Sequence, residues 1–224
     1  ELSFSSYCVK LAREESHYVA IPVFLSRAFR HTSVYIRTDK GINSPEDLKG
    51  RRIGIAEYQL TANVWVRGIL EDDYGVKPSD IHWVRGGMDT PGRPEKIKVD
   101  LPDDVKMTQA PDGATLNQML MDGEIDGFIG PRWPKCFNEG HPHVGRLFTD
   151  SISAAEDHYK RTSIFPIMHV LGVRRTRSVT TIKAPMATTQ PSDVRAWPAA
   201  HWVIKGARMH DRQSSLPRLP VPPQ

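Results

Sequence analysis

Two cysteines in 224 residues, Cys8 and Cys136, stand far apart and without metal-ligand spacing. They read as ordinary small core residues in a reducing compartment, with a single disulfide left open. No stretch approaches the roughly 20 apolar residues that a membrane helix requires, so no membrane partner is expected. No charged-then-apolar leader is present, although the chain opens on Glu1 in what reads as the middle of an element. There is no nucleotide-binding glycine loop, no Schiff-base lysine context, no zinc spacing and no nucleophile elbow. No cofactor is therefore recognised, and metal dependence stays open. His141 and His143 lack a third ligand and read as loop residues. No internal repeat is visible.

The formal charge of +4 invites a nucleic-acid partner until the charge is located. Residues 174–224 hold nine Lys and Arg against Asp193 and Asp211, a net +7, which leaves about −3 on residues 1–173. The basic excess belongs to the tail, and no nucleic-acid partner is expected. Seven prolines, no glutamate and no sustained periodicity mark the same tail. Its one apolar patch, Trp197 to Ile204, is short. Disorder or a change of reading frame near Arg175 describes the segment better than a domain does.

Before Arg174, apolar runs alternate with amphipathic stretches. Leu2 to Arg13 reads as a helix or strand-helix piece, Tyr18 to Phe24 as a buried strand, and Thr32 to Thr38 as a strand of period two. Ser44, Pro45, Glu46 and Asp47 start a short helix closed by Gly50. Arg52 to Ala56 reads as a strand. Ala62, Trp65, Val66, Ile69 and Leu70 then fall at helical spacing in a helix over Thr61 to Tyr74, ended by Gly75. Strands over Asp80 to Val84 and Ile125 to Gly130 flank a loop or irregular hairpin at 88–106 and a helix over Thr115 to Met121. Phe165 to Val173 is the last strand. This succession implies an α/β fold with a parallel or mixed sheet covered on both faces. Ligands in such sheets sit beyond the carboxyl ends of the strands, here Glu57–Thr61, Arg85–Gly87 and Gly130–Trp133.

The segment Asn43 to Ile55 (NSPEDLKGRRIGI) resembles the entry into the second lobe of type II periplasmic binding proteins. Five further segments are more pointed: Pro22 to His31 (PVFLSRAFRH), Glu57 to Asn63 (EYQLTAN), Trp83 to Gly87 (WVRGG), Gly92 to Lys96 (GRPEK) and Ile164 to His169 (IFPIMH). Together they resemble the 4,5-dihydroxyphthalate decarboxylase family, which uses that two-lobed receptor fold as an enzyme. The resemblance runs from about residue 1 to Val173. It implies a partial first lobe and start of a hinge crossover at 1–37, a second lobe at 38–164, a return strand at 165–173, and a tail at 174–224 that departs from the family's helical C-terminal part. It also implies that the first lobe is incomplete upstream of Glu1.

The candidate site residues follow. A helix starting near Thr61 turns its free N–H groups and positive dipole end toward the strand ends, where a carboxylate is stabilised by roughly 0.3–1 kcal/mol. Tyr58, Gln59 and Thr61 are the candidates there, against the alternative that Thr61 only caps its own helix. Arg27, Arg30 and His31 lie between two strands of the first lobe, and arginine offers a planar fork for each carboxylate of an aromatic diacid; solvated surface arginines are the alternative. Arg85 and Arg132 follow successive strands and read equally as ligand clamps or structural ion-pair partners. His169, within an apolar strand, reads as a core residue or as an acid/base at the lobe crossover. The resemblance implies a cytoplasmic carboxy-lyase acting on a small anionic aromatic substrate, with His31 or His169 moving the proton and a homo-oligomer left open. The competing reading is a periplasmic solute receptor that binds an organic anion and returns it unchanged.

Overall fold

The computed structural model describes residues 1–175. In chain order the elements are β1 (Leu2–Ser3), α1 (Phe4–Ala12), β2 (Tyr18–Arg27), β3 (Val34–Arg37), β4 (Arg52–Ile55), α2 (Thr61–Tyr74), β5 (His82–Arg85), β6 (Met107–Gln109), α3 (Leu116–Met121), β7 (Gly127–Ile129), α4 (Lys135–Asn138), β8 (Val144–Arg146), α5 (Ser151–Thr162) and β9 (Ile167–Arg174). A six-stranded sheet has the order β6-β5-β4-β7-β3-β8, and a three-stranded sheet has the order β1-β9-β2. In the larger sheet β6, β5, β4 and β7 run parallel, and β3 is antiparallel to both β7 and β8. The smaller sheet is antiparallel throughout. These mixed sheets flanked by helices are of the class expected for a type II periplasmic-binding-protein-like chain.

The larger sheet is buried on both faces, and β3 shows how. Its alternation sends Val34 and Ile36 into one core cluster, with Ile53, Ile55, Val66, Leu70 and Trp83. Tyr35 goes into the other, with Leu116, Met119, Leu120 and Phe128. Helix α2 covers the first face and α3 the second, so the period-two pattern at Thr32–Thr38 describes two buried faces rather than one. The strand itself starts at Val34, after a 3-10 turn at His31–Ser33. The short helix expected at Ser44 is also a 3-10 turn, Pro45–Leu48. There the Asp47 carboxylate accepts from the backbone N–H groups of Asn43 and Ser44, both at 2.9 Å. Helix α2 has the expected bounds. Gly75 adopts φ 64°, and its N–H closes on the Glu71 carbonyl at 3.0 Å.

The expectation of a buried strand over Tyr18–Phe24 is corrected. Val23 is 44% exposed, and Tyr18, Phe24 and Leu25 are exposed as well. Among the described residues strand β2 lies at the sheet edge and pairs only with β9, and its register shifts between Ile21 and Phe24, around Pro22. Proline cannot donate to the ladder, which confines it to such positions. No second layer covers these side chains among the described residues. Cys8 is corrected too: it is exposed, whereas Cys136 is buried, and both are free. Elements β6, α4, β8 and α5 were not anticipated. The tail from residue 176 onward, with the Trp197–Ile204 patch, lies outside the described residues. Among those described, no helix is long and apolar enough to cross a membrane.

The two sheets are joined through α2. The Trp65 indole N–H donates to the Ile167 carbonyl of β9 at 2.9 Å. The Thr61 hydroxyl lies 2.8 Å from the Ser3 hydroxyl and accepts from the Ser5 backbone N–H at 3.0 Å.

Candidate functional site

Because β4, β5 and β7 run parallel, the segments that follow them share one edge of the sheet. Just after β4 stands Glu57, fully buried at 0% exposure. A carboxylate taken out of water needs a partnered environment. Arg93 supplies it: its Nε and one terminal nitrogen donate to Glu57 Oε1 at 2.8 and 2.6 Å. The Gln59 amide donates to the other oxygen at 3.3 Å. Arg93 reaches this position from the loop after β5. That loop turns sharply at Gly87, where a β-carbon would overlap the Thr90 carbonyl. Arg85 braces the loop by donating to the Arg93 carbonyl at 2.9 Å. The Gly87–Arg93 loop and Arg132 line a pocket of about 280 Å³ that includes the Asp89 carboxylate. The edge thus presents two arginines, one of them held from behind by a buried acid.

The start of α2 is arranged differently from expectation. Leu60 is its N-cap and Thr61 caps nothing; the Thr61 hydroxyl is engaged by Ser3 and Ser5. Gln59 accepts from the Ser6 hydroxyl at 2.8 Å through its side-chain oxygen. The N-terminal part of α1 therefore covers this helix end. The Tyr58 ring is buried, edge-on to Trp83 at 5.9 Å and beneath the Arg67 guanidinium at 3.6 Å. Burial pushes the Tyr58 phenol up and pulls Arg67 down to about 10.

On the side of the smaller sheet, Arg27 is exposed and packs over Phe24 and Phe165, with its guanidinium 4.7 and 5.8 Å from the ring centres. Arg30 is half-buried and donates to the Met168 sulfur at 3.0 Å, with no ion pair among the described residues. Burial lowers its pKa. His169 is partly exposed; its Nδ1 lies 2.7 Å from the Ser26 hydroxyl and 3.3 Å from Glu1. It pairs across the sheet with Ser3, the residue whose hydroxyl meets Thr61. His31, by contrast, is 1% exposed, and neither ring nitrogen has a partner. Burial chiefly, and then the neighbouring His158, hold it neutral with a pKa of about 4. Of the expected residues, then, Arg132 lines the strand-end pocket, Arg85 braces the loop that forms it, and Gln59 touches the Glu57 carboxylate behind Arg93. Tyr58 and Thr61 are enclosed, and His31 faces a closed interior.

Over 176 residues, 79% of its length, the chain is 62% identical to the 4,5-dihydroxyphthalate decarboxylase of Comamonas testosteroni. A second protein of that name, from Pseudomonas putida, is 59% identical over 163 residues, 73% of this chain. The chain spans 53% of the length of the first relative and 63% of the second. The family model described as NMT1/THI5 like matches residues 26–101. Among solved structures, the periplasmic aliphatic sulphonate binding protein SsuA from Escherichia coli is 12% identical with a TM-score of 0.38, covering 70% of this chain and 47% of that one.

Arg93 is the candidate site residue that sequence reasoning misses. It lies inside the GRPEK segment, but nothing local in that segment shows that its partner is Glu57, 36 residues earlier. His158 and Asp73, on helices α5 and α2, were passed over as well.

Proposed function

We propose that this chain carries the decarboxylation of 4,5-dihydroxyphthalate to protocatechuate and CO2, acting as a cytoplasmic carboxy-lyase on a small anionic aromatic substrate. The observation that carries this reading is the 62% identity to a named decarboxylase. A 176-residue match in a 224-residue chain has to include everything from about residue 50 to 175, and with it the strand-end pocket. Relatives this similar favour a reaction over reversible capture by a solute receptor.

In this reading, Arg93 and Arg132 take the substrate carboxylates, as a planar fork suits a carboxylate. Glu57 fixes the Arg93 fork from behind, and Arg85 fixes the loop that carries it. Arg30, whose side chain has a thioether as its one hydrogen-bond partner among the described residues, supplies a further cation on the side of the smaller sheet. The C–CO2 bond breaks as its electron pair returns to the ring, after the hydroxyl para to that carbon has pushed electron density onto it. The same carbon has by then taken a proton. His169 delivers it, since it is the accessible one of the two candidate histidines.

The test is purified chain with 4,5-dihydroxyphthalate, following CO2 and protocatechuate, with calorimetry in parallel. Arg93→Ala and Arg132→Ala each lower kcat/KM by about 10- to 100-fold, the scale of a lost charge-assisted hydrogen bond. His169→Ala lowers kcat by about 100-fold or more with KM little changed. Folded chain that binds the diacid and returns it unchanged would restore the receptor reading, and folded chain that does neither would overturn both.

A further inference from the structure

We propose that His31, Asp73 and His158 form a binding site for one divalent transition-metal ion, such as zinc, which clips α2 and α5 to the turn before β3. One ligand atom from each of the three residues lies within 4.8 Å of the other two. The three come from separate elements: the His31–Ser33 turn, the last turn of α2, and α5.

The geometry favours an ion. His158 Nδ1 lies 2.8 Å from Asp73 Oδ2, so the two can face one ion, and the ring's Nε2 is buried without a partner. His31 adds two more unpartnered ring nitrogens at 1% exposure. Buried polar atoms are nearly always hydrogen-bonded, and those that are not require an explanation. Three of them meet here in one place, beside a carboxylate.

The surroundings fit a dry, small site. Phe148 meets the His31 ring edge-on at 5.1 Å, and Phe29 meets His158 at 6.4 Å. The two imidazoles stand 5.7 Å apart at 62°, so their nitrogens can converge. A tetrahedral zinc ion needs its ligand atoms about 3.4 Å apart, which small side-chain rotations reach. One cation opposes the ion: Arg161 donates to Asp73 Oδ1 at 2.9 Å. Its side chain is 53% exposed and can withdraw into solvent. Two imidazoles and one carboxylate leave a fourth position for water. The exposed pair His141 and His143, with ring centres 6.0 Å apart, has no such third donor and serves as the control.

The experiment uses the full chain, stripped with a chelator and titrated with Zn2+ and, as a spectroscopic probe, with Co2+. The expected result is one ion per chain, a visible ligand-field band of a four-coordinate Co2+ site, and an unfolding temperature that rises with free Zn2+. His31→Phe and His158→Phe, chosen to keep the box aromatic, weaken binding by about 100-fold or more, and Asp73→Asn by about 10- to 100-fold. His141→Ala leaves it unchanged. Folded, unmutated chain that shows no such band with excess Co2+ would overturn the site whatever the variants do. So would binding that survives His31→Phe and disappears in His141→Ala.

Discussion

The sequence presents β2 as an apolar, buried strand and β3 as a strand of period two, and the structure reverses their burial. All four residues of β3 are buried, while β2 has ten residues and none of them is buried. Strand β3 lies between β7 and β8 with helices over both faces, whereas among the described residues β2 has one neighbouring strand and leaves Tyr18, Val23, Phe24 and Leu25 exposed. The difference teaches that apolar content sets what a strand can contribute, and that its neighbours set what it does contribute. Apolar area stabilises only when it leaves water, at roughly 25 cal/mol per Å².

The largest expected effect tests that contrast directly. Trp83→Ala, in the core of the larger sheet, should cost about 3–5 kcal/mol in urea unfolding. Phe24→Ala, on the open face of β2, should stay within about 0.5 kcal/mol. A Phe24 loss comparable to that of Trp83 would show that the face is covered in solution and break the comparison. A smaller effect concerns the link between the regions. Trp65→Phe keeps the ring and removes the hydrogen bond to the Ile167 carbonyl, at a cost of about 1 kcal/mol. Amide exchange should rise along β9 and stay unchanged along β4; an equal rise in both would mean that the two sheets open together.

The smallest effect is electrostatic and belongs to the larger sheet. Arg37 of β3 donates to both Asp39 oxygens, at 2.8 and 2.6 Å, and holds that carboxyl at about 2 rather than the ordinary 3.8. A depressed folded-state pKa stabilises the fold above the ordinary value, and the contribution is lost as pH falls through about 2. Asp39→Asn should flatten that part of the acid limb in urea midpoints measured from about pH 5 to pH 2. The change is small because the carboxylate faces solvent, where screening weakens the pair. An acid limb identical in variant and parent would remove the pair from the account.

Local chemistry was legible where one element carries its whole signal. Helix α2 has its apolar spacing and its terminating Gly75 within 15 residues, and its bounds follow from them. Helix α3 likewise has Thr115 at its N-cap and Leu116, Met119 and Leu120 turned inward. Helix α5 was not legible, because only Ala155 and His158 are buried along it and no apolar stripe announces it. The candidate site divides the same way. Arg85 and Arg132 follow strands and could be picked out by position, while Arg93 acquires its place from Glu57 across the fold. Thr61 reads as a helix cap until the Ser3–Ser5 segment is seen to occupy its hydroxyl.

By itself, then, the sequence determined the α/β class and the likeness to 4,5-dihydroxyphthalate decarboxylases, because each is carried by residues close together in the chain. Only the tertiary structure decided that β2 lies open, that Glu57 holds Arg93, and that His31 is shut in with Asp73 and His158. Those outcomes depend on which distant segments come to cover or pair a side chain, and burial and pairing are properties of the assembled neighbourhood rather than of any local stretch.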